Sequence, residues 1–99
     1  MKYFQITVSI KAKRDIADLK RYIKDELKAS ETASHYIKGL DATIQKLFSL
    51  ADFIGSNEFV QAMFGRNALH IAYKKMTIVF FIEDDCVYVE RVIASSMIH

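Results

Sequence analysis

The 99-residue chain has no proline, only three glycines and a single cysteine. Without Pro or Gly clusters nothing reads as a linker or low-complexity segment, so residues 1–99 are expected to form one domain. The lone thiol, Cys86, cannot close an internal disulfide. Its place in the strand-like run CVYVERVI suits a buried small hydrophobe, and the preceding Asp84 and Asp85 are poor company for a reactive thiolate. No apolar run approaches the roughly 18–20 residues of a bilayer-spanning helix, so no membrane association is expected. A charged n-region, apolar h-region and cleavage site are also missing, so the cytoplasm is the expected compartment. A dominant charge is lacking too. The net charge is +2, with ten Lys/Arg against six Asp/Glu in residues 1–50 and four against six in residues 51–99. The basic excess on Lys11, Lys13, Arg14, Lys20, Arg21, Lys24 and Lys28 suits a solvated helix face better than a nucleic-acid platform.

What is present is core material. The chain is 52% hydrophobic and 26% charged, which excludes disorder because such a chain can bury enough apolar surface to offset its ordering entropy. Residues 3–10 (YFQITVSI) alternate and carry β-branched and aromatic types, as a strand does. From Ala12 the period changes: Ile16, Leu19, Ile23 and Leu27 recur every three or four residues, which predicts a helix over 11–28. Ser30 then suits an N-cap, with Glu31 in the first turn. The seam Ala33, Ile37, Leu40, Ile44, Leu47, Ala51 predicts a second helix to about Leu50, before Gly55-Ser56-Asn57. Gly39 inside it points to close packing, since Gly there costs about 1 kcal/mol relative to Ala. The remainder reads as four strands: a weak one at 58–64, then 68–73, 76–83 and 86–93. Connections this short force antiparallel neighbours. The expected fold is α+β, in the order β-α-α-β-β-β-β. An N-terminal strand and an antiparallel helical hairpin pack on one face of a mainly antiparallel sheet of four or five strands, and the other face is left open.

Chemistry is sparse. His35, His70 and His99 are too scattered for a zinc site, the Glu83–Asp85 cluster matches no calcium loop, and no phosphate loop is present, so neither metal nor cofactor is expected. Two features remain. Arg66 precedes the strand at 68–73, and Arg91 interrupts the apolar pattern of the last strand. Arg91 either bonds a carboxylate or backbone carbonyls at the end of the sheet, or joins Arg66 and Lys74 on a concave face that meets an anionic ligand.

The chain resembles the RelE/ParE toxin superfamily, the plasmid-stabilisation proteins, along essentially its whole length. The segments that carry the likeness are SIKAKRDIADLKRYIKDEL, ASHYIKGLDATIQKLFSL and GRNALHIAYKKMTIVFFIEDDCVYVERVI, with Arg66, Tyr73, Phe80 and Arg91 near the family's usual places. The resemblance implies a growth-inhibiting toxin neutralised by a cognate antitoxin that folds as it wraps around it. RelE-like members cleave messenger RNA on the ribosome with cations on the sheet and at the C-terminus, whereas ParE-like members poison DNA gyrase. Here His70 and Ala72 stand where the ribonucleases carry basic residues, Thr77 replaces a central-strand Arg, and the segment 94–99 (ASSMIH) lacks an Arg pair and Tyr. The implied reading is therefore ParE-like and non-hydrolytic. The alternatives are an mRNA endoribonuclease drawing on His70, Arg66 and Arg91, and in principle His99, or a non-toxic protein-binding relative. Arg66, Lys74, Lys75 and Arg91 are the residues expected to face target or antitoxin. An apolar groove beside the hairpin would make a homodimer the expected state in isolation.

Overall fold

The computed structural model describes residues 3–26, 28–51 and 58–97. Strand β1 (Gln5–Val8) leads into α1 (Ile10–Arg21), whose start is set by Ser9: its Oγ accepts the Ala12 N–H at 2.9 Å. The helix continues as a π-helical turn, Tyr22–Glu26, rather than as α-helix to residue 28. Lys28, at φ +50°, reverses the chain, and Ala29 N–H bonds back to the Ile23 carbonyl at 3.3 Å. Leu27, predicted in the apolar stripe, lies outside the described residues.

Helix α2 (Ser30–Gln45) begins at Ser30 instead of being capped by it; Ala29 holds the cap position and no side chain accepts a bond there. The predicted seam faces the core, with Ile37 partly buried against it. Ala33, Leu40, Ile44, Leu47 and Ala51 are buried, although the helix breaks at Lys46 and resumes as a short α3 (Leu47–Leu50). The turn expected at Gly55-Ser56-Asn57 is outside the described residues.

Residues 58–64 differ from expectation. They form α4 (Glu58–Phe64), not a strand. Val60 and Phe64 are four apart and so share one helix face, which packs on Ala68, Val79 and Ile93. A run of seven residues fits either period, and this second apolar cluster decides in favour of the helix. Gly65, at φ +112°, ends α4 in a conformation that side chains rarely adopt, with its N–H bonded to the Gln61 carbonyl.

Strands β2 (Leu69–Tyr73), β3 (Met76–Glu83) and β4 (Cys86–Ala94) make the expected antiparallel meander, and β1 joins it parallel to β4, giving the order β1-β4-β3-β2. The turn residues Lys74 (φ +51°) and Asp84 (φ +55°) are both left-handed. One sheet face presents Ile78, Phe80, Val87, Val89 and Val92 to Ala12, Leu40, Ile44 and Leu47 of the helices, and this is the main core. The opposite face, expected to be open, is covered in part by α4 through the smaller cluster.

Val60 is fully buried in that smaller cluster. Val60→Ala removes two methyl groups and should cost about 2 kcal/mol. Hydrogen exchange should show α4 amides losing protection while β3 and β4 keep theirs; unchanged protection in α4 would mean that Val60 does not hold it.

Candidate functional site

Arg91 owes its position to a bulge. Val79 pairs with Arg91 and Phe80 with Val89, so Glu90 is an extra residue in β4. Beyond Val8 there is no β1 left to pair with β4, and side chains at the start of α1 take over its open edge. Ser9 Oγ donates to the Glu90 carbonyl at 2.7 Å, and Asp15 Oδ2 accepts the Val92 N–H at 2.9 Å. The same carboxylate receives Arg91 Nε at 2.7 Å and Nη2 at 3.0 Å. This two-point hydrogen bonding raises the Arg91 pKa above its ordinary value, against a smaller opposing effect of burial. Of the two expected readings, the carboxylate partner is the one realised.

The other predicted residues do not gather around it. Cross-strand pairing sets His70, Val79 and Arg91 in one transverse row on the face carrying α4. His70 is two strand spacings from Arg91, roughly 10 Å. Its Nδ1 is buried without a hydrogen-bond partner. Arg66 lies in the exposed turn before β2, where its carbonyl accepts from Gln61 Nε2 at 3.1 Å. Lys74 and Lys75 lie beyond the other end of β2, so the five residues of that strand, spanning about 13 Å, separate them from Arg66. Arg66, Arg91 and Lys74 thus do not line a common surface. Thr77, standing for the central-strand Arg, is buried and bonds Ser95 Oγ at 2.8 Å. Cys86 is half-buried rather than buried, 3.7 Å from Thr7 Oγ1. His99 is outside the described residues. Among the described residues no three His, Cys, Asp or Glu side chains come together as metal ligands.

Lys74 and Lys75 belong to a different feature, a largely apolar groove of about 780 Å³ beside the helical hairpin. Leu19, Tyr22 and Ile23 line one wall; Tyr36, Met76 and Ala94 line the rest. Beside the groove, two tyrosines tie α2 to the β2–β3 turn. Tyr73 Oη donates to the Tyr36 carbonyl at 3.0 Å, and the rings meet edge to face with centroids 5.1 Å apart. Burial pushes the Tyr36 pKa up, helped by the neighbouring Tyr73 and partly offset by the Lys75 backbone. The contact needs Gly39: a Cβ there would overlap the Tyr73 hydroxyl outright and lie 2.9 Å from its Cζ. Lys74 Nζ sits 5.3 Å from the Tyr36 centroid and 5.6 Å from that of Tyr73, within cation–π range. A second, more polar depression is lined by Glu83, Asp84, Asp85 and the stacked Tyr3 and Phe48 rings, 4.6 Å apart.

No protein-family model and no curated protein sequence matches the chain. Solved structures do. A chain of the chromosomal ParDE toxin–antitoxin system from P. aeruginosa superposes with a TM-score of 0.78 at 11% identity, covering 93% of this chain and 96% of that one. A chain of the RelBE2 toxin–antitoxin complex from Mycobacterium tuberculosis gives 0.56 at 14% identity, over 93% and 98%. At such identities the likeness speaks for the fold. A parallel N-terminal strand, a helical hairpin and a three-stranded meander, in this order and over nearly the full length of both relatives, make this chain a RelE/ParE-like fold.

Proposed function

We propose that the chain is the toxin of a type II toxin–antitoxin pair, acting in the cytoplasm by binding an essential target in the ParE manner, with gyrase as the target class. The observation that carries this reading is the near-complete superposition on a ParDE chain, which exceeds that on the RelBE2 chain. The sheet face supports it. Cleaving a phosphodiester needs an acid, a base and free cations for the developing charge, and losing one stabilising donor alone costs about 10²–10³ in rate. Here Arg91 is committed to Asp15, and Val79 stands between Arg91 and His70. The shared row of His70 and Arg91 is the one feature favouring the ribonuclease alternative. No helix among the described residues is long and apolar enough to cross a membrane.

The test is controlled induction in a bacterial host, alone and together with the short reading frame adjoining the gene. Induction alone should arrest growth with filamentation, and co-expression should relieve the arrest. Unaffected growth would leave only the reading of a non-toxic binding module.

A further inference from the structure

Helix α1 and the π-helical turn after it carry six Lys and Arg residues up to Lys24, with Asp15 and Asp18 among them. The fold separates these charges. Asp15 is held by Arg91, Asp18 lies 3.7 Å from Arg21, and both acids border the groove. Lys13, Ala17, Lys20 and Lys24 recur at intervals of four, three and four residues, so they share one flank. At about 100° per residue that flank faces away from Asp15 and Asp18. All four are exposed, and Arg14 is exposed beside them. Lys13, Arg14, Lys20 and Lys24 form no ion pair among the described residues, not even with Asp25 and Glu26. Asp85, the last acid of the β3–β4 turn, is about 20 Å from Arg91 along β4. The basic run, expected to be a solvated face, is thus a one-sided stripe of unpaired positive charge.

The chemistry of the stripe narrows what it can meet. From Lys13 to Lys24 it is about 15 Å long, over which one strand of a B-form duplex presents about four phosphates. No aromatic ring stands on this flank to stack an unpaired base, which disfavours single strands. No Asn or Gln stands there to read a base edge, so contact is with the backbone whatever the sequence. Ala12, Ile16 and Leu19, the apolar side of α1, pack in the core, which leaves that side unable to enter a lipid surface. We infer that this flank of α1 lies along the phosphate backbone of duplex DNA, held by Lys13, Lys20 and Lys24 with Arg14 at its edge. The inference rests on the ParE-like reading for its choice of DNA, since gyrase works on that polymer. It adds a second contact: the chain touches the DNA as well as the enzyme. Such contact is independent of sequence and concentrates the chain where its target works.

The test titrates a fluorescently labelled DNA duplex of about 20 base pairs, several times the length of the stripe, with the purified full chain and reads anisotropy. Near physiological salt the dissociation constant should fall within about 10⁻⁴–10⁻⁶ M, the range of sequence-independent binding. Four phosphate contacts predict that log K falls against log salt with a slope of about −3 to −4. Lys13→Gln/Lys20→Gln/Lys24→Gln should weaken binding by about tenfold or more and bring the slope to about −1. Arg66→Gln/Lys74→Gln/Lys75→Gln removes the same charge from elsewhere and should leave affinity and slope nearly unchanged. Both variants alter only exposed side chains. No binding, equal losses in the two variants, or tighter binding of single-stranded DNA or duplex RNA would overturn the inference. The measurement needs neither gyrase nor growth arrest. DNA binding by a chain that leaves growth unaffected would refute the toxin reading alone, and arrest by a chain that ignores DNA would refute this inference alone.

Discussion

Asp15→Ala should destabilise the chain by about 2–4 kcal/mol, although Asp15 is a polar residue in the middle of an amphipathic helix. Its carboxylate satisfies two groups at once: the Arg91 guanidinium and the Val92 N–H on the edge of β4 that β1 leaves unpaired. Hydrogen bonds to charged groups contribute about 1.5–3 kcal/mol each, and an orphaned buried donor costs about 1–3. The Arg91 side chain is 36% exposed, so solvent screens part of its loss and the lower half of the combined range applies. Arg91→Ala should cost clearly less, because Asp15 keeps the Val92 N–H. Urea unfolding with an unchanged m-value measures both. Equal costs for the two variants would show that the ion pair, not the capping of the strand edge, is what matters.

Gly39→Ala should also destabilise, against the direction that helix propensity gives. Propensity alone favours Ala over Gly inside a helix by about 1 kcal/mol. The added methyl, however, would strike the Tyr73 hydroxyl, and the ring must move out of a packed position, losing its bond to the Tyr36 carbonyl. Overpacking costs about 1–3 kcal/mol and the lost hydrogen bond about 1, so a net loss of about 1–3 kcal/mol is expected. In the Tyr73→Leu background the same substitution should be neutral or stabilising, because nothing is left to strike. A double-mutant cycle by thermal unfolding gives the coupling directly. A Gly39→Ala variant more stable than the parent would show that Tyr73 yields freely.

These two contacts also mark what the sequence could and could not reveal. The apolar seam from Ala33 to Ala51, running through α2 and α3, was legible because a helical face packed along its length writes its period plainly. The meander was legible because two-residue connections leave strands no alternative to antiparallel pairing. Gly39 announced a close approach without saying to what. Residues 58–64 misled because seven residues fit both periods, and only Ala68, Val79 and Ile93, brought together by the fold, supply the helix with a surface. Ser30 resembled a cap, but the reversal at Lys28 places the helix start one residue earlier than the cap rule assumes.

The site was less legible than the fold for the same reason. The partner of Arg91 is 76 residues away in sequence, and the bulge at Glu90 that sets its geometry has no local signature. The groove is assembled from α1, α2, the β2–β3 turn and the end of β4, so only its lysine rim was visible as candidate residues. Cations that looked collectable on one face, Arg66, Arg91 and Lys74, are distributed by the sheet to different places.

Message integrity in cells arrested by the chain, compared between the parent and a His70→Ala/Arg91→Ala variant shown to be folded, tests the account most directly. The account predicts intact messages, altered DNA supercoiling and an arrest that persists in the variant. Messages cut during the arrest, with both cutting and arrest abolished by the two substitutions, would contradict it and restore the sheet face as a ribonuclease site.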